Sequence, residues 1–182
     1  MERPVLPQYR LLDREKKAFL ATLDPWPPVE LCVRPAPDAW SAVDVLDHVA
    51  KTERAAFASM RENVNQPFRI SLPERLRGAF IIQFMRTPIR VRVPDRVAAA
   101  ILPDGTADFT AVRRTWNDSQ AELKEWLSRL EKDPRSLVGF EHPVSGWLSV
   151  SQGLSFLASH VRHHRYQLVR IMRQLEQKRK AV

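Results

Sequence analysis

The stretch Gly153–Gln177, GLSFLASHVRHHRYQLVRIMRQLEQ, combines a helical apolar repeat with three of the chain's five histidines. Taking His160 as the origin at about 100° per residue, Ile171 falls near 20°, His164 near 40°, Leu157 and Leu175 near 60° and Leu168 near 80°. His160 and His164 therefore share the apolar stripe. Residues four apart stack on one helical face, so the two imidazoles can converge on one point. His163 falls roughly 120° from the centre of the stripe, beside Tyr166 and Arg170, and is expected at the surface or rim. The helix has a marked beginning: Ser149 is its N-cap, and Gln152 completes a capping box.

Working outward, three more amphipathic segments precede it, with few glycines and with prolines gathered between segments. The first runs from Gln8 to Leu23 and is stopped by DPWPP, Asp24–Pro28. The second begins in WSAVDVLDHVAKTERAAF, Trp40–Phe57, where Ser41 caps and Asp44 sits in the first turn. The third, Phe109–Leu130, places Phe109, Val112, Trp116, Leu123 and Leu130 at helical spacing, with Trp126 or Leu127 on the same face. Asn63–Ala107, between the second and third, is too long for a bundle connector without structure of its own. A helix over Pro73–Met85 and an extended PIRVRVP, Pro88–Pro94, are predicted there. HPVSGWLS, His142–Ser149, reads as a loop into the last helix. The fold class is all-α, a four-helix bundle with a long, partly structured excursion between helices two and three, and residues 1–182 form one domain.

Composition narrows the function. The net charge of +8 is spread from Arg3 to Lys180 with no interleaved aromatic platform, so a solvated surface is favoured over a nucleic-acid site. The longest apolar run, Gly78–Met85, is interrupted by Gln83 and soon followed by Arg86 and Pro88, which excludes a membrane span. One cysteine, Cys32, allows no intrachain disulfide, and no signal pattern opens the chain, so the reducing cytoplasm is the expected compartment. Cys32 itself, in a proline-rich connection away from any histidine, is read as an inert, half-buried thiol.

Two imidazoles aimed into a bundle core need their nitrogens satisfied by a polar network or by a divalent metal. His48, at the edge of the second helix's stripe, is the candidate third ligand. Spacing alone leaves both solutions open, because HxxxH pairs also arise without metal.

The residues that carry these features also resemble a known family. WSAVDVLDHVAKTE (Trp40–Glu53), HPVSGWLS (His142–Ser149) and FLASHVRHHRYQLVRI (Phe156–Ile171) are similar to the DinB-like superfamily of metal-binding four-helix bundles. The resemblance implies a divalent ion, zinc or nickel first and iron or manganese next, held by His48, His160 and His164. It also implies a metal-dependent transferase using a low-molecular-weight thiol, or a hydrolase, acting on a small molecule. The competing class is a non-enzymatic binding module with a structural or vestigial site and a basic surface for an anionic partner.

Three neutral histidines leave the ion's charge uncompensated and a coordination position open, the pattern of a catalytic centre. Asp44, one turn before His48, is either its orienter or a helix cap, the cap being favoured. Gln167, after His164, is a candidate donor to a bound ligand, and no carboxylate is placed as a general base. His142 is expected to be held by a backbone hydrogen bond, and Trp40 and Trp147 to pack at the core edge. A homodimer is expected, with Trp116 and Trp126 of the third helix as candidate anchors and a core role as the alternative.

Overall fold

The computed structural model describes residues 6–89 and 94–180. These residues form α1 (Pro7–Leu23), α2 (Pro28–Leu31), α3 (Ala42–Asn63), α4 (Leu72–Phe84), α5 (Asp95–Ile101), α6 (Phe109–Ser128), β1 (Val138–His142), β2 (Gly146–Ser149) and α7 (Val150–Lys180). The four predicted bundle helices are α1, α3, α6 and α7. The fold is helical, with one small antiparallel hairpin added. α7 packs against both α1 and α3, and α3 also packs against α6, which makes the α3–α7 contact the middle of the bundle.

The helix ends follow local chemistry. Ser41 Oγ accepts from the Asp44 amide at 3.0 Å while the Asp44 carboxylate accepts from the Ser41 amide at 2.9 Å. Ser71 with Glu74, and Ser149 with Gln152, close the same reciprocal box on α4 and α7. Asp108 caps α6 through the Ala111 amide at 2.7 Å. Each box satisfies amides that the first helical turn leaves without partners.

Leu12 and Phe19 of α1, Leu46 and Met60 of α3, Trp116 and Leu123 of α6, and Leu154, Leu157 and Leu168 of α7 are fully buried together. A fully buried leucine or phenylalanine contributes roughly 1.5–3 kcal/mol, so this cluster is what holds the four helices. Trp116 meets Phe19 edge-on at 5.7 Å and is 1% exposed, so it is a core residue and not a dimer anchor. Trp126 is half-buried against the Phe57 ring at 5.6 Å. Both indoles are absorbed because α6 turns that stripe toward α1 and α3.

HPVSGWLS is a hairpin and not a plain loop. β1 pairs with β2 in the register Phe140↔Leu148, Glu141↔Trp147 and His142↔Gly146, with an irregularity at Gly139. Gly146 takes φ 78°, a left-handed conformation that suits glycine at this turn. The strands are too short for a clear alternating pattern, but Phe140 and Leu148 bury their side chains under α3 and α4 and so hold the hairpin in place. Trp147 meets Phe68 at 5.1 Å, an edge-packing role.

Within the excursion, the helix predicted at Pro73–Met85 forms at Leu72–Phe84, and α5 adds a short helix that packs against α3. The extended segment predicted at Pro88–Pro94 falls largely outside the described residues. Cys32 is exposed and not half-buried: it follows the single turn of α2, with its thiol turned back to the Pro28 carbonyl. No helix among the described residues is long and apolar enough to cross a membrane.

Candidate metal centre

His48 of α3 and His160 and His164 of α7 are brought together in the middle of the bundle, all buried. Their ring centroids lie 4.5–5.1 Å apart, and one ligand nitrogen from each can be chosen so that all lie within 4.8 Å of one another. The edge position of His48 on its helical wheel becomes interior because α5 closes over that side of α3. Its Nδ1 is 2.8 Å from the Ile101 carbonyl oxygen at the end of α5. A carbonyl can only accept, so Nδ1 carries the proton and Nε2 presents a lone pair.

His164 is arranged in the same way. Its Nδ1 donates to Gln167 Oε1 at 2.8 Å, leaving Nε2 free, and that Nε2 stands 3.1 Å from His160 Nε2. Two nitrogens each about 2.05 Å from a tetrahedral ion would be about 3.3 Å apart. The donor set therefore fits a divalent ion: neutral imidazoles, the tautomers of His48 and His164 fixed from behind, and ring nitrogens converging at ligand separation. Such outer partners are what orient metal-ligating histidines in general.

Electrostatics keep the rings neutral. Burial lowers the His48 pKa, and burial together with the other imidazoles holds His160 and His164 well below the ordinary histidine value. Trp40 closes one side, its ring 5.1 Å from His48 and 6.4 Å from His164. The core-edge packing expected of Trp40 thus also makes it a wall of the site. Asp44 does not touch His48. It is spent on the Ser41 cap and on Arg34, 3.3 Å away.

His163 corrects the expectation of a surface position. It is 7% exposed, and its Nδ1 donates to the Thr87 carbonyl at 2.8 Å. The segment after α4 covers the flank that a four-helix wheel leaves to solvent. His163 nevertheless stays outside the converging set. His142, at the end of β1, accepts from the amides of Val144 and Ser145 through Nδ1, so its proton sits on Nε2. Burial, with Arg96 nearby, pushes its pKa down to about 4. Its ring packs on Phe156 at 4.7 Å, and Phe156 in turn stacks on His160 at 5.7 Å. The Ile101 carbonyl was not foreseeable, since a backbone acceptor 53 residues from His48 leaves no mark in side-chain patterning.

The chain belongs to the DinB superfamily, whose model matches residues 11–168. Among solved structures it is similar to YfiT from Bacillus subtilis, described as a probable metal-dependent hydrolase with an unusual four-helix bundle topology. That likeness has a TM-score of 0.63 and 14% identity, and it covers 97% of this chain and 93% of the other. At this identity it speaks for the fold. No curated protein matches the chain significantly.

Proposed function

We propose that His48, His160 and His164 bind one divalent ion, zinc or nickel foremost with iron or manganese as the other candidates, and that the protein is a metal-dependent enzyme acting on a small molecule. The observation that carries this reading is the convergence of three neutral imidazoles with no opposite charge among them. An ion so held keeps its full charge and supplies Lewis acidity to water or a thiol at its open position. The Ile101 carbonyl and Gln167 hold His48 and His164 in the metal-binding tautomer, and Trp40 shields the site from bulk water on one side.

Hydrolysis is the first reading, in line with the description given to YfiT. A thiol-dependent transfer is the second, and the all-imidazole cluster favours it. A free thiol near pKa 8.5 asks far less of a proton acceptor than water at about 15.7. Elemental analysis of protein purified without a histidine tag should find about one divalent ion per chain. Turnover of an activated ester without thiol then supports hydrolysis, and turnover of an electrophile only with a low-molecular-weight thiol supports transfer. Metal-free protein with full activity in either assay defeats the proposal.

We also propose a homodimer formed through α4. Leu72, Leu76 and Phe80 recur every fourth residue on that helix and remain well exposed, so their stripe supplies apolar surface that α6 does not. Light scattering tests this, with Leu76→Glu expected to shift a dimer to the 21.0 kDa monomer. The exposed free thiol of Cys32 suits the reducing cytoplasm as the compartment.

A further inference from the structure

A cavity of about 230 Å³, with polar and apolar walls, opens on another flank of α7, between α1 and the turn that follows α4. Ser159 lines it, and Ser159 points about 100° away from its neighbour His160, so the cavity and the histidine cluster lie on different sides of α7. Arg14 of α1, Arg86 beyond α4 and Arg162 of α7 converge on it, with Glu15 in the same wall. The Glu15 carboxylate lies 3.6 Å from Arg165, an ion pair at a distance that leaves its buried Oε2 without a hydrogen bond. Arg14 and Arg86 have no ion-pair partner among the described residues. Arg162 is held by its Nε, which donates to Tyr166 Oη at 3.2 Å and leaves the terminal amino groups available.

The cavity also contains an unsatisfied group. Ser159 is 3% exposed, and its hydroxyl has no hydrogen-bond partner. A buried hydroxyl without a partner is destabilising, a cost that a ligand oxygen would remove. Three guanidiniums and a hydroxyl approaching from α1, α7 and the post-α4 turn offer more donors, in more directions, than the two coplanar oxygens of a carboxylate can use. A terminal phosphate presents three acceptor oxygens and a charge approaching −2, and guanidinium forks match that geometry.

We propose that this cavity binds the phosphate group of a small phosphorylated molecule, at a site separate from the histidine centre. The assignment does not depend on the metal reading. Calorimetric titration of the full chain with inorganic phosphate at low ionic strength should show one saturable site, and acetate should bind at least about tenfold more weakly. Arg14→Gln and Arg86→Gln together should weaken phosphate by at least about tenfold without changing the melting temperature, since both side chains are exposed. Ser159→Ala should weaken it severalfold, and His164→Ala should leave it unchanged. The proposal is overturned by unaltered affinity in the arginine double variant, by acetate binding as tightly as phosphate, by phosphate binding that disappears with His164→Ala, or by no saturation up to about 10 mM.

Discussion

Along α3 the protein buries two polar clusters and satisfies them in different ways. Around Glu53, 1% exposed, donors and a counter-charge come from α1 and α6, although Glu53 Oε1 is left without a hydrogen-bond partner. Gln120 Nε2 donates to Glu53 at 3.3 Å, and the Tyr9 hydroxyl donates to the Gln120 carbonyl at 3.3 Å. Lys16 donates to the Trp116 carbonyl at 3.0 Å, with its ammonium 4.7 Å from the centre of the Trp116 ring. Burial raises Glu53 to about 7 and Tyr9 to about 12, and lowers Lys16 to about 8. Lys16 and Glu53 partly offset each other's desolvation. Five residues earlier, His48 joins a cluster with no counter-charge, in which Ile101 and Gln167 hold the outer nitrogens of His48 and His164 and the inner nitrogens of His160 and His164 stand 3.1 Å apart. A cluster that supplies both donors and acceptors has a structural role. One whose imidazoles converge without a counter-charge has the donor set that the proposed cation would need.

The largest effect should separate the α7 histidines. His164→Ala is expected to abolish metal binding, whereas His163→Ala should keep about one ion per chain and lose stability instead, because it leaves the Thr87 carbonyl without its donor. Equal metal loss in both, measured by elemental analysis, would contradict the assignment of ligands. Next in size is Gln167→Ala, which removes the acceptor behind His164 and should weaken metal affinity by about 10–100-fold while leaving the fold intact. Competition with a chromogenic chelator reads this directly, and unchanged affinity would reduce Gln167 to a bystander.

His142, which borders the histidine cluster through Phe156, and Glu53 should respond to acid with opposite signs. Unfolded His142 takes a proton near 6.5, but the folded residue resists until about 4, so its contribution is present above pH 6.5 and lost as pH falls between those values. The loss is on the order of 3 kcal/mol, from about 1.4 kcal/mol per pH unit. His142→Gln should flatten this acid limb in denaturant melts of metal-free protein, and an unchanged limb would show that the residue is not held neutral. Glu53 works the other way. Its folded pKa near 7 lies above the unfolded 4.5, so the folded state gains stability as pH falls from 7 toward 4.5. Glu53→Gln should therefore be most stabilising, relative to the parent, at pH 7 and above, and the advantage should shrink toward pH 4.5. A pH-independent difference would mean that Glu53 is ionised at no cost.

The contrast was only half legible in the amino-acid order. His160 and His164 could be placed on one stripe because helical geometry relates residues four apart without reference to anything else. The cap at Ser41 and the capping box at Ser149 were legible for the same reason, since a side chain and an amide three residues on must meet. His163 was misplaced because the wheel assumed solvent on a flank that the turn after α4 covers. Trp116 and Trp126 were offered to a partner subunit because periodicity ranks faces by apolarity without showing how many other helices share them.

Local periodicity and capping by themselves determined the four long helices, the phase of α7 and the inward pair of histidines, because those features depend on interactions within a few residues. Only tertiary structure decided that α5 would close over His48 and lend it the Ile101 carbonyl, that Trp40 would wall the site, and that Arg14, Arg86 and Arg162 would meet around Ser159. Each of these joins residues from different elements, and their distance in space is set by how the helices pack.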